Sequence, residues 1–143
     1  MAEAASCVFC EIVAGRAEAS VVHADELCTA FMSIELMTTG HTLVVPNAHV
    51  TDLAELPPAT AGHLFQVAQR IVAAQRASGL RCEGATLVLC DGEAGGQTVF
   101  HVHLHVNPRH ADDGIAMPRA PGVAPRAALD AAAAALRAAL ART

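Results

Sequence analysis

The chain has 143 residues, 53% of them hydrophobic but only 3% aromatic, and 9 Lys/Arg against 14 Asp/Glu give a net charge of −5 with histidines neutral. That length suits one domain around a single, mainly aliphatic core. No basic patch is present to displace counterions from a nucleic-acid backbone, and no apolar run of about 18 residues marks a membrane span. The beginning of the sequence lacks a basic stretch followed by an apolar one, so no signal peptide is read. With an odd count of five cysteines, the expectation is a reducing, cytoplasmic setting. The Cys7-x-x-Cys10 pair then reads as a metal clamp or a redox pair rather than part of a disulfide framework.

In chain order, Cys7 to Ala14 reads as a short helix ended by Gly15. Ser20 to Ala24 and Leu27 to Met32 read as strands turning at Asp25-Glu26. Thr42 to Val45 is a third strand, stopped by Pro46. Pro57-Pro58 opens a long helix with Ala61, Leu64, Phe65, Ala68, Ile71 and Val72 at helical spacing; Gln75 breaks the stripe and Gly79 closes the helix. Ala85 to Cys90 and Val99 to Val106 are two more strands, joined through a loop with Gly92, Gly95 and Gly96. Residues 110–125 read as a loop or arm. Residues 126–143 read as a C-terminal helix, with Leu129, Leu136 and Leu140 on one face, packed on or extending a domain at 1–109. Strands outnumber helices and are mostly hairpin-linked, which predicts an α+β fold with an antiparallel sheet.

The chemistry concentrates in Gly95-Gly96-Gln97-Thr98-Val99-Phe100-His101-Val102-His103-Leu104-His105-Val106. On a strand, alternate residues share a face, so His101, His103 and His105 line one side while Val102, Leu104 and Val106 enter the core. The outer imidazoles start about 13 Å apart at a rise of roughly 3.3 Å per residue. One phosphate can touch two of them, which leaves the third with a different task. A face of imidazoles adds little to burial, so three at period two point to function. His-x-His on one face is also zinc geometry. The glycines before this strand let backbone N–H groups approach an anion. The Thr98 hydroxyl can donate to a phosphate oxygen or a leaving group. His23, His63 and His110 read as solvent-facing, Cys28 and Cys82 as core or half-buried thiols.

The sequence resembles the histidine-triad (HIT) family, whose signature is His-φ-His-φ-His-φ-φ. The similarity spans Cys7 to Arg109 and includes the upstream block Gly40-His41-Thr42-Leu43-Val44-Val45-Pro46-Asn47-Ala48-His49; it looks closest to the Hint-like and bacterial branch. The resemblance implies a five-stranded antiparallel sheet with flanking helices, usually in a homodimer. It also implies a nucleotide hydrolase or nucleotidyl transferase acting on a small nucleotide or phosphate-ester substrate. His103 would attack the α-phosphorus of a nucleoside phosphoramidate or similar conjugate, and water would release the nucleotide from a covalent nucleotidyl-histidine. His105 would hold the phosphate with Gly96, Gln97 and Thr98, and His41 would support the cluster. No cofactor is implied for catalysis. Cys7, Cys10, His49 and His101 match positions that bind structural zinc in some bacterial members. Phe9, Ile12, Phe31 and Ile34 match the family's apolar residues around the nucleobase.

Three positions depart from the family pattern. Ser33 stands where an Asp usually grips the ribose, Cys90 where an Asn commonly contacts the sugar-phosphate, and Asn107 where the signature ends on an apolar residue. The phosphate end is kept while the sugar end is altered. A nucleotide- or phosphate-ester-binding module with little turnover is therefore the second reading. A third, a zinc hydrolase using the histidine strand, lacks an adjacent carboxylate.

Overall fold

Segments rich in Val, Leu, Thr and Ala pair into one antiparallel sheet in the computed structural model, which describes residues 6–143. The strands are β1 (Val21–Ala24), β2 (Cys28–Met32), β3 (Thr42–Pro46), β4 (Gly84–Leu89) and β5 (Leu104–Arg109), in the spatial order β1-β2-β3-β5-β4. All four pairings are antiparallel. Together with helices α1 (Val8–Val13) and α2 (Pro58–Ala77) this is the expected α+β architecture. It forms a compact unit that runs to Asp113, where the carboxylate accepts from Arg109 Nε at 2.6 Å. A second unit, Gly114–Thr143, holds helix α3 (Arg126–Leu140).

The two faces of the sheet bury different things, because side chains alternate across a strand. On one face, Ala30 and Cys28 of β2, Val44 of β3, and Leu104 and Val106 of β5 meet Leu64, Val67, Ala68 and Ile71 of α2. On the other face, Phe31, Leu43 and Val45 pack with Phe9 of α1 and with Cys7. The register puts Phe31, Leu43, His105 and Val88 opposite one another across β2, β3, β5 and β4. His105 therefore stands mid-sheet on the α1 side.

Proline at the start of α2 suits a position whose N–H has no intrahelical partner, and Gly79 follows the helix at φ +84. The buried stripe of α2 is Leu64, Val67, Ala68, Ile71 and Gln75. Two residues differ from the sequence reading. Phe65 is exposed, and Gln75 belongs to the stripe, its Nε2 donating to the carbonyls of Gly40 (3.0 Å) and Val106 (3.2 Å). A buried amide that meets two backbone acceptors can sit in an apolar stripe.

The last strand also differs. It was expected over Val99–Val106, but its ladder begins at Leu104 and continues to Arg109. Pairing with β3 covers Thr42–Val106, Leu43–His105 and Val44–Leu104 and stops there. Pro46, which has no N–H, ends β3. Val102 N–H donates instead to Val50 O at 2.7 Å, outside the sheet. His101 and His103 thus precede the strand, although Val102, Leu104 and Val106 still enter the core together.

Candidate functional site

Three imidazoles meet at the start of β5 and of β3. His103 is buried, and its Nδ1 lies 2.7 Å from the His101 carbonyl. A carbonyl only accepts, so Nδ1 carries the proton and Nε2 keeps its lone pair. Burial lowers the His103 pKa below the ordinary imidazole value, which holds the ring neutral. The His105 ring lies 4.9 Å away, centroid to centroid. Its Nδ1 is 2.9 Å from His41 Nε2, and His41 Nδ1 is 3.0 Å from the Glu35 carbonyl. Burial, with His103 and His41 as neighbours, brings the His105 pKa down to about 4. His41 is lowered as well, chiefly by burial. The result is a chain from Glu35 O through His41 to His105, set beside a neutral His103.

His101 faces elsewhere. Its Nδ1 lies 3.4 Å from Cys7 Sγ and 3.6 Å from Cys10 Sγ, while its Nε2 donates to Pro46 O at 2.8 Å. His49 Nδ1 is 3.2 Å from Cys10 Sγ. One donor atom from each of Cys7, Cys10, His49 and His101 lies within 4.8 Å of all the others. Bond lengths of about 2.0 to 2.3 Å put the ligand atoms of a tetrahedral zinc roughly 3.3 to 3.8 Å apart. The observed sulfur–nitrogen distances match that spacing. The His101 bond to a backbone carbonyl is the outer contact that orients a metal-ligating imidazole. Burial and the Cys7 side chain push the Cys10 thiol up to about 11, a cost that a bound cation reverses. The donor set therefore fits zinc.

The glycine loop differs from its expectation as an N–H cradle. The N–H groups of Gly95 and Gln97 donate to Gly92 O, and that of Gly96 to Glu93 O, closing a 3-10 turn at Glu93–Gly95. The Gln97 side chain is buried and fully used: Oε1 accepts from Gly92 N at 2.8 Å, and Nε2 donates to Thr51 O and Val99 O. Gly96 and Gln97 shape the loop. Thr98, which follows, is exposed.

The residues named for the nucleoside separate by burial. Phe9 and Phe31 are core residues, 7% and 2% exposed, with their rings 5.4 Å apart. The Phe9 ring also meets His103 at 5.1 Å, edge to face, so it backs the imidazole. Ile12 is half-buried and Ile34 is 99% exposed. Cys90 Sγ lies 3.6 Å from where a Gly96 Cβ would stand. The Ser33 hydroxyl donates to Glu35 O at 2.9 Å. Asn107 is fully buried, with Nδ2 on Thr86 O at 3.4 Å and Oδ1 without a partner among the described residues.

Sequence reading missed a second polar cluster. His23 and His63, expected to face solvent, both donate through Nε2 to Asp25 Oδ2 at 2.7 Å, and Asp25 Oδ1 accepts from the N–H groups of Leu27 and Cys28. These bonds hold the Asp25 carboxyl well below the usual carboxylate range, the His23 contact contributing most. His63 lies on α2, so no local pattern in the sequence links it to the β1–β2 turn. His110 is half-buried and meets Asp112 at 3.1 Å.

With this geometry in place, comparison with known proteins is specific. Residues 14–112 match the HIT domain model. An uncharacterized HIT-like protein of Mycobacterium tuberculosis (strain H37Rv) is 43% identical over 107 residues, covering 75% of this chain and 74% of that one. The adenylylsulfatase HINT3 of Arabidopsis thaliana is 31% identical over 108 residues, covering 75% of this chain and 54% of that one. Among solved structures, a zinc-bound histidine triad family protein from Mycobacterium smegmatis superposes with a TM-score of 0.76 at 44% identity, covering 83% of this chain and 86% of that one. The chain belongs to the histidine-triad (HIT) family. Among the described residues, no helix is long and apolar enough to cross a membrane.

Proposed function

We propose that the protein is a nucleotide hydrolase or nucleotidyl transferase whose nucleophile is His103 Nε2, acting at the α-phosphorus of a nucleoside phosphoramidate or similar conjugate. One observation carries the reading: His103 Nδ1–H is tied to the His101 carbonyl at 2.7 Å, which leaves the opposite nitrogen as a lone pair on a buried, neutral ring. Histidine is an effective nucleophile in that form. The new bond is His103 Nε2–P, and the P–N bond to the amine breaks. The amine departs with the bond's electron pair and takes a proton relayed from solvent through the exposed Thr98 hydroxyl, which regains one proton as it gives one up. Water then attacks phosphorus, and the electrons of the N–P bond return to the imidazole. The adenylylsulfatase relative acts on a nucleotide conjugate by its name, which supports the substrate class.

The same reading places structural zinc on Cys7, Cys10, His49 and His101, where it would fix α1 against the segment that carries His103. It also takes the chain as a cytoplasmic homodimer. The dimer rests on the family resemblance and on exposed Phe65 and Leu87, the latter on edge strand β4. The His103→Ala variant, assayed with an adenosine phosphoramidate, is expected to lose on the order of a thousand-fold or more in kcat. Wild type with limiting substrate should show the mass of a nucleotidyl adduct that the variant lacks. Unchanged turnover in the variant removes His103 from the role. Tight nucleotide binding by a wild type that turns over no phosphoramidate makes the protein a binding module instead.

A further inference from the structure

We infer that Ser33 is a positioning residue that, through the Glu35 carbonyl, selects the tautomer of the His41–His105 pair. Its kinetic consequence rests on the reading of His103 given above; its structural content does not.

Ser33 follows β2, and its N–H donates to His41 O at 2.9 Å, which closes the loop between them. Its hydroxyl reaches into that loop and donates to Glu35 O at 2.9 Å. The same carbonyl lies 3.0 Å from His41 Nδ1. A carbonyl oxygen has two lone pairs, and these two donors use them. A rival donor is near: the Met37 N–H lies 3.4 Å from the same Nδ1. The two neighbours ask for opposite protonation. Glu35 O requires a proton on Nδ1; Met37 N–H requires a lone pair there. The carbonyl is the closer, and the Ser33 hydroxyl fixes where it points.

The choice propagates. With Nδ1–H on Glu35 O, His41 Nε2 has no proton, so in the 2.9 Å contact His105 Nδ1 must be the donor. His105 Nε2 is then a lone pair. With Met37 as partner the chain reverses, and His105 Nε2 carries the proton. Ser33 thus biases a two-state relay toward the form in which His105 presents a proton acceptor beside His103, their rings 4.9 Å apart. In the second half of the proposed reaction that acceptor has a task. Water forms the new P–O bond, the His103–P bond breaks with its electrons returning to the ring, and the proton of the attacking water goes to His105 Nε2. The Ser33 hydroxyl, having given its only proton to Glu35, has none to offer a sugar.

The test uses full-length protein with 15N-labelled histidine, as wild type, Ser33→Ala and Ser33→Thr, at a pH where imidazoles are neutral. Wild-type His41 is expected in the Nδ1–H form. Ser33→Ala should shift it toward a mixture, and Ser33→Thr, which keeps the hydroxyl, should restore it. In turnover, Ser33→Ala should lose about tenfold in kcat, the worth of one hydrogen bond, with KM unchanged and the loss equal for ribo- and 2′-deoxyribonucleoside phosphoramidates. A His41 tautomer that Ser33→Ala leaves untouched overturns the inference, as does a KM effect confined to the ribose substrate, which marks a sugar contact. Should Ser33→Ala not fold, the wild-type spectrum alone decides, since a proton on His41 Nε2 is incompatible with the relay described. The spectra need no turnover, so a tautomer shift in a protein without phosphoramidase activity upholds this inference while removing the proposed reaction.

Discussion

His101 and His103 stand two residues apart, and each gives one ring nitrogen to a backbone carbonyl. His101 uses Nε2, on Pro46 at 2.8 Å; His103 uses Nδ1, on His101 itself at 2.7 Å. The remaining nitrogens face different company. His101 Nδ1 meets two thiols, and His103 Nε2 has no protein partner among the described residues. Which ring nitrogen of an imidazole keeps its lone pair is set by the hydrogen bond the other makes. Under the proposed function, the carbonyl each ring finds is what would separate a zinc ligand from a nucleophile on one short stretch of chain.

The largest effect should come from breaking the His101 side. Zinc bound to the native chain alone, at a thousand times its Kd, adds about 4 kcal/mol of stability. Cys10→Ser or exhaustive chelation should release one equivalent of metal per chain, measured by elemental analysis, and lower Tm by many degrees. The imidazoles of His41, His103 and His105 hold no place in that donor set. Below the new Tm, activity should persist at a reduced level rather than vanish. A chelated protein with unchanged Tm would remove zinc from the structure.

A smaller effect sits on the other side of the comparison, at His105. Its native pKa of about 4 lies below that of an unfolded imidazole at about 6.5. As pH falls the unfolded chain takes up this proton first, so stability from this site is complete above pH 6.5 and is lost between there and about 4, with no further loss below. At about 1.4 kcal/mol per pKa unit the loss is about 3 kcal/mol. The variant His105→Gln should show a shallower fall in denaturant midpoint over that window. Parallel curves for the two proteins would mean that His105 is not held neutral by its surroundings.

The fold was legible in the sequence wherever one local rule decided it. Strand alternation placed Val102, Leu104 and Val106 in the core, and prolines and glycines marked the ends of α2. What local rules could not reach was the pairing of distant segments. The ladder of β5 starts at Leu104 because β3 ends at Pro46, and Gln75 is buried because two carbonyls on other elements await it. For the site, the family resemblance pointed to Cys7, Cys10, His49 and His101, which the fold brings together; spacing alone offered only the Cys7-x-x-Cys10 pair and the alternating histidines. The same spacing put three imidazoles in one row, where two groups form. The N–H groups of the glycine loop looked available for an anion but close their own turn. The Glu35 carbonyl was invisible in principle, since every residue has one.

The smallest effect on stability should be at Thr98, where the effect on chemistry should not be small. Its side chain is exposed, and its hydroxyl has no partner among the described residues, in contrast to the preceding Gln97, whose amide makes three hydrogen bonds inside the loop. Thr98→Val keeps the branched shape and removes only the hydroxyl. A surface change of this kind should move stability by no more than about 0.5 kcal/mol. If the hydroxyl meets a charged phosphate oxygen or gives the departing amine its proton, the lost bond is worth about 1.5 to 3 kcal/mol, or roughly ten- to 150-fold in rate. The kinetic split shows which. A contact made equally in the bound substrate and the transition state raises KM at constant kcat, whereas help to the leaving group lowers kcat at constant KM. A substrate with a better leaving group should then lose less, because it needs less of that help. Wild-type turnover by Thr98→Val on both substrates would show that the hydroxyl has no part in the reaction.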